Sequence, residues 1–311
     1  MSEDRSLFSV PAVAYTLAIL CTVLWGSAFP SIKLGYELFQ IDPSDTWSKL
    51  VYAAVRFTLA GVLVLVVRLF VIQREQRVRI ASLKGEQWGR LALLGLLQTT
   101  IHYYFFYISL SFITGAKGSI LSASNVFWSA ILAHLFFHND KISRGKILGI
   151  IAGFASVILV NYDVDFGFEF SVQGELFMLT AAFLASASFV FAKRLTAIAD
   201  PMLITGIQLT FGGSLLLLIA SLAGGSFPVG SFKAYLLLLY LASLSAAAFS
   251  IWTQLLKHNK VSSIVIFHFL VPIVGTFLSV LILGEKVFKI QYLIALPLVA
   301  GGIYLVNRTK R

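Results

Sequence analysis

The chain has 311 residues, of which 58% are hydrophobic and 12% charged, with a formal net charge of +10. A soluble domain is about a quarter charged, so a water-soluble globular protein is excluded and a polytopic membrane protein is indicated. The excess of Lys and Arg would suggest nucleic acid in a soluble chain, but here it lies between apolar runs, where anionic lipid headgroups account for it, and no nucleic-acid partner is expected.

In chain order, a cytoplasmic leader of residues 1–10, MSEDRSLFSV, precedes the first apolar run, PAVAYTLAILCTVLWGSAFP. No small-residue cleavage site follows that run, so it is a retained span rather than a removed signal. It holds the single cysteine, Cys21, which excludes an intrachain disulfide. The second span lies between Lys49 and Arg68 and contains Arg56; the third follows Trp88 and contains LLQTTIHYYFFYISL, residues 96–110. Further charge-free runs lie between Lys117 and Asp140, Lys146 and Asp163, Glu175 and Lys193, Lys233 and Lys257, Lys260 and Glu285, and Lys289 and Arg308, with another after Asp200. Each has roughly the 17 to 25 residues that cross a bilayer as helix, which predicts ten spans. Helices are required because lipid leaves an unpaired backbone unsatisfied, and no alternating barrel pattern is visible. With the N-terminus inside, 17 Lys and Arg fall on the inner side and 6 on the outer, Arg56 lying within a span. That asymmetry puts both termini in the cytoplasm of a plasma-membrane protein, and the acidic stretch 163–169, DVDFGFE, outside.

The chain also aligns with itself. WGSAFPSIK (25–33) lies over ASASFVFAK (185–193), and RFTLAG (56–61) lies over QLTFGG (208–213), setting Arg56 opposite Gln208. NDKI (139–142) matches GEKV (284–287), and Asn161 matches Asn307. Five spans per half is an odd number, so the second copy must insert upside down. The expected fold is an all-α polytopic membrane protein with ten transmembrane helices as two inverted five-helix repeats, residues 11–162 and 172–307.

With WGSAF in span one, AAVRFTLAG in span two and PIVGTFLSVLILGEK in span nine, the chain resembles the EamA family of the drug/metabolite transporter superfamily over nearly its whole length. The resemblance implies export of small metabolites such as amino acids, amines or nucleosides. Two positions depart from the family pattern: Phe127 stands for a proline in span four, opposite Pro272, and Asn139-Asp140 for Gly-Glu.

Polar groups at membrane depth are the candidate substrate ligands, because such residues either bond to neighbouring helices or face a water-filled path. Gln98 and His102 lie one turn apart on one face of span three, with Tyr103 beside them. Ser122, Asn125 and Ser129 share a stripe of span four next to Trp128. Span eight brings Trp252 and Gln254; span nine brings His268, whose carbonyl is freed by Pro272 four residues on. Trp25 would close the cavity from span one, or anchor the interface. Arg56 is a permanent charge whose unpaired burial costs roughly 3 kcal/mol even on the lenient insertion scale. Either it snorkels to Glu37 or Glu175 at the outer ends, or it meets an anionic group of the substrate.

No carboxylate lies within a span, which disfavours multivalent cations and leaves an amphipathic aromatic pocket suited to zwitterionic or neutral molecules. His102 or His268 would carry any proton coupling. HLFFH (134–138) spaces two histidines at i and i+4 but lacks the Glu of a metalloprotease helix, and no phosphate-binding or nucleophile-elbow motif occurs; no metal, cofactor or enzymatic activity is expected. The function expected is a secondary transporter exporting an amino acid or amine by alternating access. The alternatives are another small-solute permease for nucleosides or sugar derivatives, a membrane enzyme, or a scaffold. Partners are the lipid bilayer and a small-molecule substrate. Gly145, Gly149 and Gly153, four apart in span five, allow close helix approach, within a monomer or across a homodimer.

Overall fold

The computed structural model describes residues 6–72, 82–113, 118, 121–161, 170–283 and 291–308. Residues 163–169, 284–287 and part of the basic cluster after Arg68 lie outside the described residues. After a 3-10 turn at Leu7–Ser9, the helices are α1 (Pro11–Leu38), α2 (Thr46–Val71), α3 (Gly85–Leu110), α4 (Asn125–Phe136) and α5 (Arg144–Asn161). The second half supplies α6 (Val172–Leu195), α7 (Pro201–Leu222), α8 (Phe232–His258), α9 (residues 261–283) and α10 (Gln291–Arg308). Among the described residues, six helices, α1, α2, α3, α6, α7 and α8, are long and apolar enough to cross a membrane, and shorter apolar stretches lie in α4, α9 and α10. The fold is that of a polytopic helical membrane protein.

Local chemistry sets the helix ends. The Asp45 carboxylate caps α2 through the Ser48 amide at 2.9 Å, and Asp200 caps α7 through the Leu203 amide at 2.9 Å, each satisfying an otherwise orphaned donor. Ser171 accepts from the Gly174 amide at the start of α6, while Glu175 returns to the Ser171 amide at 2.7 Å. Gly224, at φ +96°, stops α7 in the left-handed region that glycine enters without a steric cost.

Two helices depart from α geometry at depth. In α3, Leu96–Ile101 forms a π turn, and the His102 amide reaches the Leu97 carbonyl. In α9, Ile266–Phe269 tightens to 3-10 between Val261–Val265 and Leu270–Leu283. Pro272 has no N–H for the His268 carbonyl, so the helix leaves α geometry where that bond is missing.

Helices of one half pack mainly on helices of the other. The most extensive contacts join α2 to α7 and α5 to α10; α1 lies on α8 and α9, α2 also on α8, α3 on α6 and α7, and α4 on α6. Glycines permit the closest approaches. A Cβ at Gly61 would lie 2.3 Å from the Thr210 nitrogen and 2.8 Å from the Gly206 oxygen, and one at Gly213 would lie 2.7 Å from the Thr58 nitrogen and 3.1 Å from the Ala54 oxygen. Gly149 abuts the Gly302 carbonyl and Gly153 the Phe269 ring. Those two glycines of the span-five stripe therefore serve packing within the chain.

At the end of the bundle where Tyr15 meets Asn307 and Arg308, polar bonds tie the halves together. Arg68, 3% exposed, pairs with Asp200 at 2.6 Å, the same carboxylate that caps α7. Asp140, 1% exposed, pairs with Lys146 at 2.5 Å and accepts from the Ser262 amide at 3.0 Å and from the Ser262 hydroxyl. The position that departs from the family's Glu thus still holds a bonded carboxylate at the foot of α9.

Candidate functional site

Trp25, Trp252 and His268 form a close triangle of rings at the junction of α1, α8 and α9. Ring centroids are 5.0 Å apart for Trp25–Trp252 and Trp25–His268 and 4.6 Å for Trp252–His268. Phe189 of α6 joins at 5.3 Å from His268 and 5.9 Å from Trp252, and Phe249 at 5.5 Å from Trp25. Sequence reasoning passed over both; Phe189 was visible only as the residue aligned with Phe29.

Asn125 closes the group from α4: its Nδ2 lies 3.0 Å from His268 Nδ1. An amide N–H can donate only to an unprotonated Nδ1, which leaves the ring proton on Nε2. Three buried atoms then have no partner among the described residues: the Asn125 Oδ1 acceptor and the N–H donors Trp252 Nε1 and His268 Nε2. Asn125 is 8% exposed and Trp252 1%. Buried polar atoms without partners are rare in folded proteins, and these three offer complementary donors and acceptors in one aromatic box.

Gln98 is 6% exposed, and its side chain has no hydrogen bond among the described residues. The next two residues reach α7: Thr99 Oγ1 donates to Gln208 Oε1 at 2.9 Å and Thr100 Oγ1 to the Gly212 carbonyl at 2.8 Å. His102 is half-buried, and its Nδ1 lies 3.2 Å from the Gln98 carbonyl of its own helix. One ring nitrogen is thus used locally, while the ring faces Tyr103 at 4.5 Å. Tyr103 stacks on Phe57 at 4.2 Å, and Phe57 approaches Phe249 at 6.5 Å. Aromatic contact therefore runs without a break from Trp25 to the surroundings of Arg56.

Arg56 lies mid-helix in α2 and is 4% exposed. Its Nε donates to Ser245 Oγ of α8 at 2.9 Å, and the guanidinium carbon lies 5.0 Å from the Phe57 ring centroid. It pairs with neither acid considered from the sequence: Glu37 is exposed, and Glu175 is bonded to Ser171. The snorkelling alternative is overturned, because the side chain is held inward by Ser245. Trp128 stands apart, 36% exposed and edge-on to Phe183 at 5.5 Å, and Phe127 fills the expected proline position by packing on Phe154 at 5.0 Å. His134, the first histidine of HLFFH, uses Nδ1 to accept from the Ile142 amide at 3.1 Å.

A cavity of about 490 Å³ lies between α2, α7 and α8, lined by Leu63, Val64, Met202, Ser250, Ile251 and Gln254 among others. It does not include the rings of the Trp25–Trp252–His268 group.

Long apolar helices whose buried polar groups come from both halves of the chain define the class: a multi-pass membrane protein. Within that class the chain belongs to the EamA-like transporter family, which matches residues 12–162 and again residues 172–308. It is similar to an uncharacterized transporter of Archaeoglobus fulgidus, 25% identical over 88% of this chain and 90% of that one. Another uncharacterized transporter, from Synechocystis sp., is 27% identical over 93% and 88% of the two chains. A WAT1-related chloroplastic protein of Arabidopsis thaliana is 25% identical over 94% of this chain and 69% of its own length. A crystal structure covers 98% of this chain and 99% of its own with a TM-score of 0.75 at 18% identity, a likeness of fold. Family and relatives point to a transporter rather than an enzyme.

Proposed function

We propose that the protein is a secondary transporter of the plasma membrane, with both termini cytoplasmic, that exports a small amino acid or amine by alternating access between two inverted five-helix halves. The observation that carries this reading is the aromatic box of Trp25, Trp252 and His268, with Asn125 bonded to it. Its unpartnered atoms, Asn125 Oδ1, Trp252 Nε1 and His268 Nε2, sit buried between helices of both halves. A solute entering there would satisfy donors and an acceptor that the protein leaves open.

The inverted arrangement is supported by reciprocity of contact. Exchange every helix for the one five places away and the main contacts map onto themselves: α1·α9 becomes α6·α4, α1·α8 becomes α6·α3, α2·α8 becomes α7·α3, and α2·α7 and α5·α10 are unchanged. The same holds at residue level. The alignment of 56–61 with 208–213 turns Gly61 against Thr210 into Gly213 against Thr58, and both contacts are present. A two-fold relation requires that kind of self-complementarity.

The test is counterflow in vesicles of purified protein, with labelled amino acids and amines offered one by one. His268→Leu keeps the bulk and removes both nitrogens; it should abolish solute-specific flux and, because it strands Asn125 Nδ2, cost about 1–3 kcal/mol of stability in a protein that still folds. Absence of flux for every solute with folded parent protein would refute the reading.

A further inference from the structure

Arg56 is a permanent cation at mid-span, 4% exposed, in a chain whose described ion pairs are Arg68–Asp200, Arg90–Glu86 and Lys146–Asp140. No carboxylate among the described residues neutralises it. Its hydrogen bond goes out through Nε, and the acceptor, Ser245 Oγ, spends its own proton on the Leu241 carbonyl at 2.9 Å. The guanidinium is therefore held along one edge. Its end-on fork, Nη1 and Nη2, has no hydrogen-bond partner among the described residues.

Phenols lie close by on α1, α2 and α3: Tyr103 stacks on Phe57, the residue next to Arg56, at 4.2 Å, and Tyr36 meets Tyr52 at 5.7 Å. Tyr52, one turn before Arg56 on α2, is fully buried, and its hydroxyl has no partner among the described residues. That hydroxyl fits only because Gly35 has no side chain: a Cβ there would lie 2.3 Å from it. Phenols cannot neutralise an arginine, but they can donate to an anion placed between them and it. Ring contacts continue from Tyr103 through Phe57 and Phe249 to Trp25, so an anion at Arg56 would lie at one end of a chain of aromatic contacts that reaches the aromatic box.

We infer that Arg56 and the Tyr52 hydroxyl form the subsite for a carboxylate of the transported solute, whose apolar body lies toward Trp25 and Trp252. This rests on the transporter reading above and narrows it: the substrate class is a small amphipathic carboxylate, zwitterion or acid, and not a simple amine. The chemistry fits the number of free groups. A carboxylate matches the planar end-on fork with two parallel bonds, and a buried guanidinium without a counter-charge is strongly unfavourable, a cost that an anion of the solute would relieve.

The experiment uses the purified full-length protein in chloride-free buffer and measures melting temperature against three matched sets: the common L-amino acids, their amides, and the corresponding decarboxylated amines. Chloride is titrated as a fourth arm. At least one amino acid should raise the melting temperature, while its amide and amine do not. Tyr52→Phe, which removes an unpartnered hydroxyl, should melt like the parent and bind that amino acid about tenfold more weakly. Arg56→Gln should lose binding, and Arg56→Lys should retain part of it. If Arg56→Gln does not fold, Tyr52→Phe and Arg56→Lys still decide. Equal stabilisation by an amide or amine, stabilisation by chloride alone, unchanged affinity in Tyr52→Phe, or no carboxylate that binds would each overturn the assignment. Vesicle flux separates the two readings: amines or neutral solutes carried without carboxylate binding sink the carboxylate subsite and leave the transporter standing, whereas no flux of any solute sinks the transporter itself.

Discussion

Gly61→Ala is the smallest change that probes the joint between α2 and α7. The added methyl would sit 2.3 Å from both the nitrogen and Oγ1 of Thr210 and 2.8 Å from the Gly206 oxygen. Two of those atoms are backbone, so no rotamer change relieves the clash and the helices must move apart. Such overpacking costs about 1–3 kcal/mol, partly offset by the roughly 1 kcal/mol that alanine gains over glycine inside a helix. A net loss of up to about 2 kcal/mol should lower the melting temperature by up to roughly 8 °C, at about 2–4 °C per kcal/mol for a chain of this order of size. Gly213→Ala meets the equivalent atoms of Thr58 at 2.7 Å and should lose less. Gly89→Ala, with nothing within 4 Å of its Cβ, should melt with or slightly above the parent. The assay is tryptophan fluorescence during a thermal ramp of the detergent-purified proteins side by side. Gly61→Ala melting level with Gly89→Ala would refute the close approach and the reciprocity argued from it.

The remaining predictions concern pH and orientation. Burial pushes the Asp140 carboxyl up, but bonds from Lys146 and Ser262 outweigh it and hold the group below the usual carboxylate range. A depressed folded-state value contributes stability above the unfolded pKa of about 3.9 and loses it as pH falls through the folded value. The melting-temperature gap between parent and Asp140→Asn should thus be steady from about pH 5 to 8 and close below about pH 4; a gap that stays open in acid would remove the carboxylate from the account. For orientation, single cysteines in a Cys21→Ser background should make Val229→Cys, at a site 90% exposed between α7 and α8, reactive to an impermeant reagent in intact cells. Glu86→Cys at the start of α3 should be protected there, and the opposite pattern would invert the topology.

Much of the architecture was legible because hydropathy and charge are local properties of the string. Charge-free runs mark helices, and the alignment of RFTLAG with QLTFGG already placed Gly61 and Gly213 in equivalent positions. The gathering of Trp25, Asn125, Trp252 and His268 was also legible, as large or polar residues at compatible depths in spans one, four, eight and nine. What could not be read was which way each side chain turns. Trp128 shares the neighbourhood of Asn125 in sequence, yet its place on α4 turns it toward Phe183. For Arg56 the sequence left two partners open, an outer acid or an anionic group of the substrate; the residue it meets, Ser245, lies 189 positions away and carries no charge to advertise the pairing. His102 was read for its ring alone, and the irregular turn that occupies one of its nitrogens leaves no compositional trace.

That turn has a consequence for the history of the chain. A π turn is an α-helix with one residue inserted, and the segments flanking it keep their facing. Leu96–Ile101 is therefore a place where α3 could lose a residue without swinging Tyr103 or Tyr107 to another face, whereas a deletion elsewhere in the same helix would rotate everything beyond it by about 100°. Relatives one residue shorter here should show their gap at 96–101, and His102, relieved of the Gln98 carbonyl, would be free in them to become another residue.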